Sequence, residues 1–225
     1  MRAFLTAAVI VIAALGLIWV VRLQHAASEA PASPPKPDSA QAAVDHAIGI
    51  ALASAAPAVT LGAIGGKLPG VLVDPKLLVE KSRRTLAVFS AGQVVKTYRI
   101  ALGARPLGDK VRQGDRRTPE GDFYVCVRND ESKYVRSLGL SYPDKEDAER
   151  GVAAGLITKR EQRAIVEAIR HYRRPPYNTK LGGEIMIHGG GTGTDWSTGC
   201  IALSNSDIAE LYPRIGLGTP VEIRP

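Results

Sequence analysis

At 225 residues the chain has room for one catalytic domain plus accessory segments, and 45% hydrophobic with 23% charged residues excludes wholesale disorder. A formal net charge of +7 suits anionic surroundings: nucleic acid, anionic lipid or an acidic wall polymer. The Lys and Arg residues are scattered and never interleaved with aromatics, which argues against nucleic acid, and two cysteines exclude a disulfide framework.

Residues 3–21 carry no charge and are almost entirely apolar, with Arg2 before them and Arg22 after. At helical rise such a stretch spans about 28 Å, close to bilayer thickness, so residues 1–22 read as a transmembrane anchor. The small residues Ala26-Ala27-Ser28 leave signal cleavage open. Arg2 and the amino terminus bias the N-terminus inward. The rest of the chain is then expected outside the cytoplasm, anchored in the inner membrane with its catalytic domain in the periplasm, or secreted there after cleavage. Residues 23–72, which include Ala30-Pro31-Ala32-Ser33-Pro34-Pro35, are rich in Ala, Pro and Gly and read as a flexible linker.

The segment 73–225 changes to short alternating strands. Leu77 to Glu80, Thr85 to Phe89 and Val94 to Ala101 read as strands, the last two joined as a hairpin through Ser90-Ala91-Gly92-Gln93. Thr118-Pro119-Glu120-Gly121 is a turn before the strand Phe123 to Arg128. Thr158 and Glu161 have capping-box spacing, and Ile165, Ile169 and Tyr172 follow at helical period. Arg170, His171, Arg173 and Arg174 suit the end of that helix and Pro175-Pro176 stops it, so His171 has a structural explanation. Glu184 to Ile187 is a strand leading into His188, a short helix runs from about Ser204 to Tyr212, and Pro220 to Ile223 is a last strand. The pattern predicts a mostly β domain with one or two flanking helices.

Cys126 lies in the alternating run Phe123 to Val127 and reads as a buried strand thiol. Cys200 sits instead in the polar loop Ser197-Thr198-Gly199-Cys200, where a thiol adds little to packing. His188 ends an apolar strand and precedes three glycines, twelve residues before Cys200, and a loop of that length can bring imidazole to thiol. Such a pair makes sense chemically because the thiolate is the nucleophile and a neighbouring imidazolium lowers a cysteine pKa. Gly199, lacking Cβ, lets backbone amides approach an oxyanion. Three other readings stay open on residue types alone. His188 could cap a strand end, Cys200 could be incidental, and His188, Asp195 and Cys200 could bind zinc, although at poor spacing.

Ile185-Met186-Ile187-His188-Gly189, Ser197-Thr198-Gly199-Cys200-Ile201 and Gly218-Thr219-Pro220-Val221 together resemble the L,D-transpeptidase (YkuD) catalytic domain. Gly114-Asp115-Arg116-Arg117-Thr118-Pro119-Glu120-Gly121 is similar to that family's GD-x-x-TPEG segment, and Leu77 to Gly103 to its opening hairpin. The resemblance implies Cys200 as nucleophile, His188 as general base and the Gly189 carbonyl as the group orienting His188. It implies a β-sandwich or barrel-like fold, places the backbone amides of Thr198, Gly199 and Cys200 around the oxyanion with Ser197 beside the substrate, and implies no metal or organic cofactor. The implied reaction attacks a peptidoglycan stem peptide, releases D-alanine from a Cys thioester, and passes the acyl group to an amine of a second stem or a wall-anchored protein. Two departures bear on this: Thr198 stands where the family commonly has His, and Ala202 where it commonly has Arg. The second motivates an alternative in which the thioester goes to water, giving an L,D-carboxypeptidase or an amidase that releases wall-bound protein. A non-catalytic wall-binding module is a third reading. Leu138 to Arg174 resembles a family-variable insertion near the cleft, and Tyr142, in Ser141-Tyr142-Pro143, is expected to face substrate.

Overall fold

A computed structural model of the chain describes residues 66–225. Among these residues the strands are β1 (Lys76–Glu80), β2 (Thr85–Ser90), β3 (Gln93–Arg99), β4 (Gly121–Asn129), β5 (Ser137–Leu140), β6 (Met186–His188), β7 (Ile201–Ala202) and β8 (Pro220–Arg224). The helices are α1 (Lys145–Ala153), α2 (Lys159–Arg170) and α3 (Asn205–Leu211), the last running into a 3-10 turn at Tyr212–Arg214.

All eight strands form one mixed sheet in the order β3-β2-β1-β8-β4-β5-β6-β7. The pairs β1–β8 and β6–β7 are parallel and the remaining neighbours antiparallel. The sheet curls until its edges meet. Just after edge strand β3, Ala101 exchanges both backbone hydrogen bonds with Ala202 of edge strand β7, at 2.9 and 2.8 Å. Gly103 bridges Ser197 beyond it. The barrel-like expectation is therefore met by a half-barrel stitched at one seam.

Inside the curl, Leu77, Leu86, Ile100, Leu138, Ile187 and Ile201 form the core with almost no exposure, and Ile208 and Leu211 of α3 close over it. Helices α1 and α2 pack on each other through a separate cluster of Ala148, Ile157, Ile165 and Leu181. Leu68, within the span read as linker, is also buried, its amide donating to Glu210 at 2.8 Å.

The capping box at Thr158 and Glu161 is present as expected, and α2 stops at Arg170 with His171 as its exposed C-cap. The count of one or two helices is corrected to three. Helix α1 escaped notice because its sequence, KEDAERGVA, has no apolar period; it is set by a reciprocal cap between Asp144 and Asp147. Strand β5 also corrects the extent of the variable segment, since Leu138–Leu140 lie inside the sheet between β4 and β6. Gly139 is required there: a Cβ would stand 2.8 Å from that of Val127.

The expected membrane anchor is corrected as well. Among the described residues no helix is long and apolar enough to cross a membrane, α1, α2 and α3 having 9, 12 and 7 residues where a span needs about 20. Residues 3–21 themselves lie outside the described residues. The transmembrane segment, the membrane as a partner and the inner-membrane placement are withdrawn.

Candidate active site

The β6–β7 ladder sets the geometry. Ile187 pairs with Ile201 and His188 with Ala202. Paired residues point to the same side and successive ones alternate, so Ile187 and Ile201 face the core while His188 and Cys200 share the opposite side, offset along the strands. Both line a cleft of about 580 Å³.

His188 is buried and held from three sides. Its Nδ1 lies 2.5 Å from the Gly189 carbonyl, which makes Nδ1 the protonated nitrogen and leaves the Nε2 lone pair as the basic site. Tyr134 stacks on the imidazole with centroids 4.4 Å apart, and Trp196 meets it edge-on at 5.7 Å. The Trp196 indole is itself fixed by donating to the Gly191 carbonyl at 3.2 Å. Gly189 has no room for a side chain, because a Cβ would lie 2.7 Å from both Asn205 Oδ1 and the Tyr134 carbonyl. Asn205 also accepts the Gly190 amide at 2.9 Å, so the start of α3 anchors the glycine turn that carries the orienting carbonyl.

Cys200 is half-buried. Its Sγ accepts from the Met186 amide at 3.4 Å and lies 3.5 Å from the Glu184 carbonyl. Glu184 adopts φ +56, a left-handed conformation unusual for a residue with a side chain. A second cavity of about 270 Å³ opens on the other flank of the thiol and is lined by Lys110, Gln113, Gly183 and Ile185. Thr198, Glu184 and Cys200 line both cavities.

Burial pushes the Cys200 thiol above its ordinary range, against the opposing pull of the Met186 amide and the Lys110 ammonium. Burial also lowers His188, against the pull of its bond to Gly189. Both shifts favour a neutral thiol and a neutral imidazole at rest.

The other expected site residues divide. Ser197 is buried; its hydroxyl donates to the Cys200 carbonyl at 2.7 Å and accepts the Gly199 amide at 3.0 Å, locking the loop. The Gly199 amide is therefore occupied, whereas those of Thr198 and Cys200 make no hydrogen bond to a described residue. Gly199 is compelled by a φ of +138 and by the Arg117 carbonyl, 2.7 Å from where a Cβ would be. Tyr142 is placed elsewhere: it is wholly buried, its hydroxyl donating to the Leu181 carbonyl at 3.1 Å, and it lines neither cavity. Asp195 is held by Arg84, at 2.8 Å, and by the Leu102 amide. Cys126 is half-buried on β4, 3.8 Å from the Tyr177 hydroxyl.

Sequence reasoning missed Tyr134, Trp196, Lys110 and Glu184. Lys110 had a signal in its spacing to Asp115, which it contacts at 2.7 Å. The aromatics had none, since each reaches the imidazole from a loop without period.

The L,D-transpeptidase catalytic domain family, YkuD, matches residues 74–223. Among curated proteins, Escherichia coli YafK is 28% identical over 139 residues, covering 59% of this chain and 43% of that relative. The chain thus spans less than half the length of the curated relative it matches. An L,D-transpeptidase from Xylanimonas cellulosilytica is 18% identical with TM-score 0.41, the match covering 70% of this chain and 63% of that one. The helical cell shape determining protein Pgp2 from Campylobacter jejuni is 22% identical with TM-score 0.46, covering 67% and 47%. With the family match running from β1 through β8 and taking in both His188 and Cys200, the chain belongs to the L,D-transpeptidase (YkuD) catalytic domain family.

Proposed function

We propose that the protein is a peptidoglycan L,D-transpeptidase in which Cys200 is the nucleophile and His188 the general base. The observation that carries this reading is the pair itself. A thiol sits between two cavities, and in the same cleft an imidazole is held with Nδ1–H on Gly189 and Nε2 basic. His188 Nε2 takes the thiol proton as sulfur attacks the carbonyl carbon of a stem peptide. The oxyanion is met by the free Thr198 and Cys200 amides, with Ser197 holding their loop. The tetrahedral adduct collapses with cleavage of the C–N bond, the imidazolium gives its proton to the departing D-alanine amine, and a thioester remains. An acceptor amine then loses a proton to His188, attacks the thioester and displaces the thiolate, which recovers the proton. Cavities on both flanks of Cys200 suit this two-substrate sequence.

One observation favours a second reading. Ala202 is wholly buried opposite Ala101, so nothing at that position reaches an acceptor. Water would then resolve the thioester, giving a carboxypeptidase or amidase of the same mechanism. Disaccharide-tetrapeptide muropeptides incubated with the full chain, with Cys200→Ala as control, separate the outcomes by mass spectrometry. Cross-linked dimer plus free D-alanine from the wild type alone is expected. Tripeptide without dimer would transfer the case to hydrolysis, and untouched substrate would overturn the stem peptide as donor.

A further inference from the structure

We propose that Arg105, Arg112 and Arg116 form a carboxylate-binding subsite for a peptide partner of the reaction at Cys200, an inference that rests on the function proposed above. The three arginines line a cleft of about 470 Å³ together with Gln113, Gly114 and Asp115. Gln113 and Gly114 also line the smaller cavity at Cys200, so the arginine cleft adjoins the thiol through a shared wall.

Among the described residues, Arg83 pairs with Glu80, Arg84 with Asp195, Arg150 with Asp109, Arg170 with Glu167 and Arg224 with Glu222. Arg105, Arg112 and Arg116 have no acidic partner among the described residues. Asp115, the acid within the cleft, is committed elsewhere: it accepts from Lys110 Nζ and from the amides of Val111, Arg112 and Arg117, at 2.7 to 3.1 Å. Three like charges on one concave wall repel one another, and an anion relieves that repulsion.

The backbone beneath the arginines is pinned while their side chains stay exposed. The Arg105 amide donates to the Arg116 carbonyl at 3.0 Å, Lys110 Nζ to the Arg112 carbonyl at 3.1 Å, and the Gln113 amide to the Lys180 carbonyl at 2.9 Å. Little ordering of the loop is needed on binding. Guanidinium forks match the two oxygens of a carboxylate, and the peptides that meet at an acyl-transfer cysteine carry free carboxylates close to the reacting bond. The same loop thereby supplies the positive charge that Ala202 does not.

The test is calorimetric titration of the full chain carrying Cys200→Ala. The probes are a stem tetrapeptide with free carboxylates, its fully amidated counterpart, hexaglutamate and inorganic phosphate. The free tetrapeptide is expected to bind about tenfold or more tightly than the amidated one, and Arg105→Gln/Arg112→Gln/Arg116→Gln to abolish that difference. A thermal melt checks that the triple variant keeps its fold, and Arg112→Gln alone should give part of the loss. Hexaglutamate binding as well as the tetrapeptide would assign the carboxylates to acidic peptide in general; weaker binding would assign them to the stem. Equal binding of free and amidated peptides, a preference that survives the triple substitution, or phosphate outcompeting the tetrapeptide would overturn the proposal. Turnover of muropeptides by the unmodified enzyme is scored separately. A carboxylate preference without turnover sinks the proposed function alone, and turnover without the preference sinks this subsite alone.

Discussion

At the scale of single residues, the chemistry turns on where two protons reside before substrate arrives. Many reactive cysteines rest as a thiolate beside an imidazolium, but here burial raises the thiol and lowers the imidazole, so the neutral pair is the ground state. Alkylation of Cys200 by iodoacetamide is therefore expected to climb steadily as pH rises through the ordinary thiol range and above it. A rate already level at neutral pH would reveal a preformed ion pair and refute this account. Below neutrality the same shifts keep His188 unprotonated to lower pH than an ordinary histidine, so the acid limb of turnover should fall below the usual histidine range. Both candidate residues stood out in the sequence because each broke a local rule: a thiol in a polar loop, and a histidine ending an apolar strand before three glycines. Tyr142 misled for the opposite reason. A tyrosine beside proline in a polar-looking turn reads as exposed, whereas its hydroxyl finds the Leu181 carbonyl inside the domain.

At the scale of elements, the two helices of the segment between β5 and β6 differ in how they are held. Helix α2 announces itself through Thr158, which caps Glu161 N at 3.2 Å and receives Glu161 in return. Thr158→Ala should cost about 1 kcal/mol, read as a shift in the urea midpoint without a change in slope. Helix α1 uses two acids for the same purpose. Asp147 accepts the Asp144 amide at 3.0 Å and Asp144 accepts that of Asp147 at 2.8 Å. Burial, and then the Asp144 charge, push Asp147 up to about 8, the pair titrating together. The folded chain thus holds a proton that the unfolded chain has released above about pH 4. Its stabilising contribution is present at low pH and is lost as pH rises through the folded value. Unfolding free energy should accordingly decline between about pH 4 and pH 8, and Asp147→Asn should flatten that decline. An unaltered pH profile in the variant would show that the slope arises elsewhere. Strands with β-branched alternation were readable; β5 (SLGL) and the two-residue β7 were not, because only their neighbours in the sheet make them strands.

At the scale of the whole molecule, the seam between Ala101 and Ala202 joins the far edges of the sheet immediately beside Cys200. The family departure at position 202 is thereby tied to packing as much as to chemistry. Ala202→Arg would drive a guanidinium into a fully buried site and is expected to cost about 3 kcal/mol or more, lowering thermal stability and activity together. A variant as stable as the wild type would mean that the side chain escapes into the cleft. No sequence pattern could reveal this seam, because it is a meeting of two edges distant in the chain. The barrel-like expectation came with the resemblance to the YkuD domain, and strand alternation alone shows neither closure nor the place where it happens.

Strand β8 lies in the middle of the sheet, between β1 and β4, although it comes after every other strand. Apart from the short seam at Ala101 and Ala202, the hairpin side β3-β2-β1 and the thiol-bearing side β4-β5-β6-β7 are joined only through β8, where Val221 pairs with Leu77 on one flank and with Phe123 on the other. During synthesis, the two ladders of β8 close only after nearly the whole domain has been delivered, and the loop closures this demands slow folding. A nascent chain arrested before residue 220 would hold two sets of strands with an empty place between β1 and β4, and the sheet becomes continuous only when its last strand is threaded home.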